Sequence, residues 1–244
     1  AYYDPRIPRF DIIADIRPLL PKVYAVLFSG GGNAGSNNAR YWNDLKFMYA
    51  TLVDTLGVDP DNVIVLYGNG TGRDDDMDVD HAGTEANLQT VFDDLEEDAR
   101  VWDTIFLFTT NHGGGFWPED PDGVHNYGRV DASGDEAGEG FLESDYGRDF
   151  NADGDTSDTM SFDETLVSWG SSILDDALSD IIGEVDLSYG RMIIVMEQCF
   201  SGGLIEELAD PGRDMIIMAA ADELETSYEM APDYDYNEFC NHVT

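Results

Sequence analysis

Five short apolar runs set the architecture of this chain: Val23–Phe28, Val63–Tyr67, Thr104–Thr109, Arg191–Met196 and Asp214–Ala219. The first, VYAVLF, is continuous rather than alternating, which is the mark of a strand buried on both faces. Between the runs the period changes. Trp42–Leu56 places Leu45, Met48, Tyr49, Leu52, Val53 and Leu56 at helical spacing and stops at Gly57. Thr84–Asp98 reads as a second helix with Thr84 as its N-cap, Ser171–Ile182 as a third, and Ser201–Leu208 opens a fourth. A βαβ succession of this kind demands a mostly parallel central sheet with helices on both faces and right-handed crossovers. The expected fold class is α/β, a three-layer α/β/α sandwich, with residues 1–244 forming a single domain.

One stretch, 116–164, lacks convincing periodicity and is rich in Gly and Asp; it reads as a long acidic insertion, of the kind that is usually functional or mobile. Charge narrows the partners. The chain carries 51 acidic side chains against 12 basic ones, a formal charge of −39, so a nucleic acid or an anionic membrane would be repelled. With 42% hydrophobic and 11% aromatic residues, the charge is not a sign of disorder. Asp outnumbers Glu by 35 to 16, and residues 74–80 and 119–164 together hold 20 of the acids. A salt-adapted surface would spread carboxylates, whereas calcium loops concentrate them, and both patterns are present. No apolar run reaches the roughly 18–20 residues that span a bilayer, and no signal peptide is visible.

Ligands of open α/β sheets bind beyond the carboxyl ends of the strands. His112 and Cys199 each follow a strand by a few residues. Cys199 precedes Ser201-Gly202-Gly203 at a helix start, where free N–H groups favour a thiolate; His112 is followed by three glycines, which let backbone donors approach a substrate. A Cys/His pair suits acyl transfer, with thiolate attack on a carbonyl, imidazolium protonating the leaving amine and backbone N–H groups holding the oxyanion. An esterase is the rival for the His-Gly-Gly-Gly run, but no Ser in the chain stands in a GxSxG elbow.

The segments Phe106–Gly114 (FLFTTNHGG) and Ile193–Gly203 (IIVMEQCFSGG) resemble the catalytic motifs of the caspase-like cysteine peptidases, and within them the legumain-like branch. The first strand with Asn37-Asn38-Ala39-Arg40, and Glu225-Thr226-Ser227-Tyr228 after the fifth strand, carry the same resemblance, which spans residues 22–240 with 116–164 outside it. It implies a caspase-like α/β/α fold and endopeptidase activity on peptide or protein substrates. By matching position, Cys199 is the nucleophile, His112 the general acid/base, and Gly113 with Cys199 supplies the oxyanion donors. The pocket for the residue before the scissile bond maps to Asn38, Arg40, Glu197 and Ser227. Arg and Glu together would suit Asn or Asp at that position; the nearby acids Asp222, Glu223 and Glu225 would instead recruit Arg or Lys, as in clostripain-like and gingipain-like relatives. Asn/Asp is slightly favoured. For Arg40 and Glu197 an ion pair under the sheet edge is the structural alternative.

Asp149, Asn151, Asp153 and Asp155 put oxygen donors at alternating positions with Gly154 at the turn, the first half of an EF-hand-type loop. Position 12 is Met160, so Asp158, Asp163 or Glu164 has to complete a calcium shell. Residues 74–80 form a weaker second candidate. Calcium dependence would favour an extracellular or cell-surface setting. The end of the chain, Tyr236–Thr244, looks like the cut opening of the family's next helix, so a C-terminal portion, separated by processing, is an expected partner. The cross-class rival is an inactive calcium-binding or interaction module on the same fold.

Overall fold

The computed structural model describes residues 20–115, 129–130, 141–142, 144, 154–155, 157, 159–160, 162–183, 190–210 and 212–227. In chain order the elements are β1 (Val23–Ser29), α1 (Ala39–Ala50), β2 (Val63–Tyr67), α2 (Glu85–Asp98), β3 (Thr104–Thr109), β4 (Gly113–Gly114), β5 (Arg129–Val130), β6 (Phe141–Leu142), β7 (Thr159–Met160), β8 (Phe162–Asp163), β9 (Thr165–Ser168), β10 (Ser171–Leu174), α3 (Asp175–Gly183), β11 (Arg191–Met196), α4 (Leu204–Leu208) and β12 (Met215–Ala219). The five apolar runs become one sheet in the order β12-β11-β3-β1-β2, and every neighbouring pair is parallel. A second sheet, β10-β9-β4, is antiparallel. The short pairs β5-β8 and β6-β7 accompany it.

Each central strand is apolar on both sides because both sides are covered. Tyr24, Val26 and Phe28 of β1 face α2, α3 and α4, which contribute Leu88, Phe92, Leu178, Ile181 and Leu204 to one cluster. Ala25 and Leu27, from the alternate positions, face α1 through Trp42, Leu45 and Met48 in the other. Helices thus lie on both faces, as the βαβ rhythm requires. Each fully buried Leu or Phe contributes about 1.5–3 kcal/mol of transfer free energy. No described helix is long and apolar enough to cross a membrane.

Local readings differ in three places. The first helix starts earlier than its apolar stripe, at Ala39, because Asn38 is the last extended residue; a π-helical turn over Thr51–Thr55 follows Ala50. The expected helix Ser171–Ile182 is a strand for its first four residues. Ser171 pairs with Ser168 across the turn Trp169-Gly170, where Gly170 takes φ +83°, and the hairpin takes the first four residues of the expected helix. The fourth helix shortens to Leu204–Leu208 because residues 201–203 are spent on the turn that leaves β11. The expected cap of the second helix is present, with Thr84 Oγ1 accepting from Asn87 N at 3.3 Å.

The helix α3 opens on a buried carboxylate. Asp175 is 1% exposed, and it accepts from Glu164 N at 2.5 Å and from Asp176 N at 2.9 Å, tying the end of β8 to the helix start. Burial pushes its carboxyl up to about 6; the two backbone donors oppose this, and the charges of Asp163 and Asp176 add to it. Because the folded value lies above the unfolded one of about 3.9, the stabilisation from protonated Asp175 is complete below about pH 4 and is lost as pH rises through about 6. Asp175→Asn stays neutral throughout. Its urea midpoint relative to the native protein should therefore be higher at pH 7.5 than at pH 4.5; an identical offset at both pH values would rule out titration of Asp175 in that window.

Candidate active site

Strand register sets where the two candidate side chains leave the sheet. Thr109 of β3 pairs with Met196 of β11. His112 lies three residues beyond Thr109 and Cys199 three residues beyond Met196, so adjacent parallel strands carry an imidazole and a thiol past the same edge at the same level. The sheet order reverses between β1 and β3, since β2 lies outside β1 on one side while β3, β11 and β12 follow on the other. The crevice of such a sheet opens at that reversal.

The loop after β1 reaches across it. The carbonyl of Ser36 lies 3.2 Å from His112 Nε2. A carbonyl can only accept, so Nε2 carries the proton and Nδ1 is left as the basic nitrogen. Burial holds the His112 pKa below its ordinary value of about 6.5; the Ser36 carbonyl opposes that, and the positive charge of Arg40 adds to it. Burial and Arg40 thus favour the neutral imidazole over the imidazolium.

Both strand ends are tied before His112 and Cys199 emerge. Thr109 O accepts from Glu197 N at 2.9 Å, and Thr109 Oγ1 donates to Gln198 Oε1 at 2.7 Å. Thr110 Oγ1 donates to Asp44 Oδ2 at 3.0 Å, fastening the histidine loop to α1. Cys199 is half-buried, with Sγ 3.6 Å from Ser227 Oγ and 3.8 Å from Ser227 O. The next residue, Phe200, takes φ +59°, a left-handed conformation that costs a non-glycine residue about 1 kcal/mol. It is held there from two sides: Phe200 N donates to Glu225 O at 2.8 Å, and its ring lies against Gly115.

Gly113 is placed hard against the Cys199 turn. A Cβ at this residue would lie 2.0 Å from the Cys199 carbonyl oxygen, so nothing larger fits without moving one of the two loops. Val167 N donates to His112 O at 3.2 Å, which makes His112 a bonded position of the β4–β9 ladder. Bonded and non-bonded positions alternate in antiparallel pairs, so Gly113, opposite Leu166, turns its N–H away from β9.

The sequence-derived pocket residues separate. Ser227 touches Cys199, and Glu197 is fully buried two residues before it. Asn38 and Arg40 both engage Tyr41, Arg40 Nη2 reaching its hydroxyl at 2.8 Å. Asp222 is exposed, and its Oδ1 accepts from Glu223 N at 2.8 Å. Of the calcium candidates, Asp149, Asn151, Asp153 and Asp158 lie outside the described residues. Asp155 is exposed and accepts from Ser157 N and Oγ, while Gly154 before it has φ +102°. Glu164 is buried, with its carboxylate packed over Gly203 at the start of α4. Among the described residues no group of three His, Cys, Asp or Glu side chains is arranged to hold a metal. In the second acidic loop, Asp74 and Asp76 both accept from Lys46 Nζ, at 2.8 and 2.9 Å, and Asp80 accepts from Val65 N; an ammonium group and the backbone meet that charge. Sequence reasoning missed Ser36, Tyr41 and Phe200. Tyr41 had one available signal, its position beside Arg40; the Ser36 carbonyl contact and the positive φ of Phe200 belong to the backbone and leave no trace in residue type.

The chain is similar to known proteins in sequence and in fold. Residues 158–241, which include Cys199, match the Peptidase C13 family. Metacaspase-4 of Arabidopsis thaliana is 27% identical over 201 residues, which is 81% of this chain and 37% of the plant protein. Protein GSU0716 from Geobacter sulfurreducens shares the fold, with a TM-score of 0.54 at 13% identity over 91% of this chain and 80% of that one. In the segment around Cys199 and in its fold, the chain is thus similar to caspase-like cysteine peptidases.

Proposed function

We propose that this protein is a cysteine endopeptidase working through a Cys199/His112 dyad. The observation that carries the reading is the common three-residue offset of both side chains from paired residues of adjacent strands. In this mechanism Nδ1 of His112 takes the Cys199 thiol proton as Sγ attacks the scissile carbonyl, forming a C–S bond. The N–H groups of Gly113 and Cys199 receive the negative oxygen. Collapse breaks the C–N bond, the imidazolium returns the proton to the leaving amine, and water then hydrolyses the thioester with His112 as base.

The residue before the scissile bond is Asn or Asp in this reading. Arg40 brings a positive charge to the site, close enough to act on His112, whereas the Asp222 carboxylate is exposed and committed to Glu223 N rather than forming a cation seat. Calcium belongs to the same reading. The positive φ of Gly154 and its open surroundings fit the turn of an oxygen-donor loop, with Asp149, Asn151, Asp153 and Asp155 as donors; the ion would supply charge neutralisation and order beside the active site. Activation by proteolytic cleavage completes it.

A positional-scanning peptide library, run with and without calcium and followed by intact mass, tests these points together. Cleavage after Asn or Asp, rising with calcium, is expected; cleavage after Arg or Lys would reverse the specificity assignment. Cys199→Ala and His112→Ala should each lower turnover by about 10³-fold or more. Because burial depresses the pKa of His112, its basic form persists as pH falls below 6.5, so the acid limb of kcat/KM should lie below that value, together with the His112 midpoint in an NMR titration. Gly113→Ala should cost activity far more than peptide affinity, since the added methyl collides with the Cys199 carbonyl. A Gly113→Ala enzyme with native kcat would remove Gly113 from the oxyanion site.

A further inference from the structure

The His112 imidazole has a second neighbour besides the Ser36 carbonyl. The ring of Tyr41 meets it edge to face, with centroids 5.3 Å apart and planes at 78°. Tyr41 is fully buried, yet it sits on the first turn of α1, where its hydroxyl needs a partner. Arg40 Nη2 donates to that hydroxyl at 2.8 Å, and the Asn38 side chain also bonds to it. The Arg40 guanidinium lies over the same ring, 4.7 Å from its centroid. Burial, the dominant cause, raises the phenol pKa; Arg40 and the Asn38 hydrogen bond oppose the rise, and Cys199 adds to it electrostatically.

A single hydrogen bond from Nε2 fixes one point of an imidazole but leaves the ring free to rotate about that bond. An edge-to-face contact at its flank removes this freedom. We propose that Tyr41 is a positioning residue for His112: its ring holds the imidazole in the plane from which Nε2 reaches the Ser36 carbonyl, so that the two contacts together fix the tautomer and leave Nδ1 aimed for proton exchange with Cys199. Asn38 and one nitrogen of Arg40 act through Tyr41 by anchoring its hydroxyl. This rests on the peptidase reading, in which a misplacement of about 1 Å can cost about 10²-fold in rate.

Three variants separate the ring from the hydroxyl. Tyr41→Phe keeps the ring; Tyr41→Leu and Tyr41→Met remove it, Met filling more of the buried space. The His112 tautomer is read from its ring ¹⁵N shifts without turnover, and kcat and KM are measured on the best library peptide. The native protein should show one tautomer, protonated at Nε2. Tyr41→Phe should retain it and lose about fivefold in kcat, the effect of one hydrogen bond. Tyr41→Leu and Tyr41→Met should show mixed tautomers and lose about 10²-fold in kcat, with KM within threefold. Native tautomer and kcat in either ring-deleted variant would overturn the proposal, as would equal losses in Tyr41→Phe and Tyr41→Met, which would assign the effect to the hydroxyl. A native protein with the single tautomer but no cleavage of any peptide would overturn the peptidase reading, while the tautomer comparison among the variants would still decide the role of Tyr41.

Discussion

The parallel pairing of β3 with β11 is the constraint on which the site depends. Each strand alone could deliver its side chain at any height above the sheet edge. Once Ile105, Leu107, Ile194 and Met196 are buried against the same helices, a slip of one residue would turn their apolar side chains to the opposite face. The core therefore sets the relative height of His112 and Cys199, and the hydrogen bonds at Thr109 preserve it to the edge of the sheet. Precision at the crevice is a by-product of packing several residues beneath it.

Much of this was legible from residue order. The five apolar runs gave the central sheet because strands buried on both faces leave a continuous apolar signature. The placement of His112 and Cys199 past the same sheet edge was legible because they stand at equal distances past two such runs. The first turn of α1 was not, since Ala39, Arg40 and Tyr41 precede the apolar stripe that marks the helix. Ser171–Leu174 failed for a related reason: in four residues, a helical and a hairpin spacing cannot be told apart, and the choice falls to pairing with Thr165–Ser168. Roles carried by main-chain atoms, such as the Ser36 carbonyl and the outward N–H of Gly113, have no residue-type signal beyond the permissive glycine.

The polar residues also show how a chain so rich in carboxylates distributes them near a site. Lys46 holds two of the acids in the 74–80 loop, and Asp44 takes a hydroxyl donor from the histidine loop. Asp175 accepts two backbone amides and still pays for its burial with a raised pKa. These carboxylates are structural parts rather than surplus charge, so the acidity near the sheet edge cannot be treated as a uniform field.

The rung that joins Gly114 to Thr165 carries a consequence for how the fold can vary. Fifty residues leave the sheet at one side of this rung and return at the other, so the two ends of the excursion are neighbours in space. Closing such a loop costs free energy that grows only logarithmically with its length. The rung therefore acts as a socket: a shorter, longer or chemically different excursion can be plugged in here while the adjoining Gly113, and the strand edge it belongs to, stay where they are.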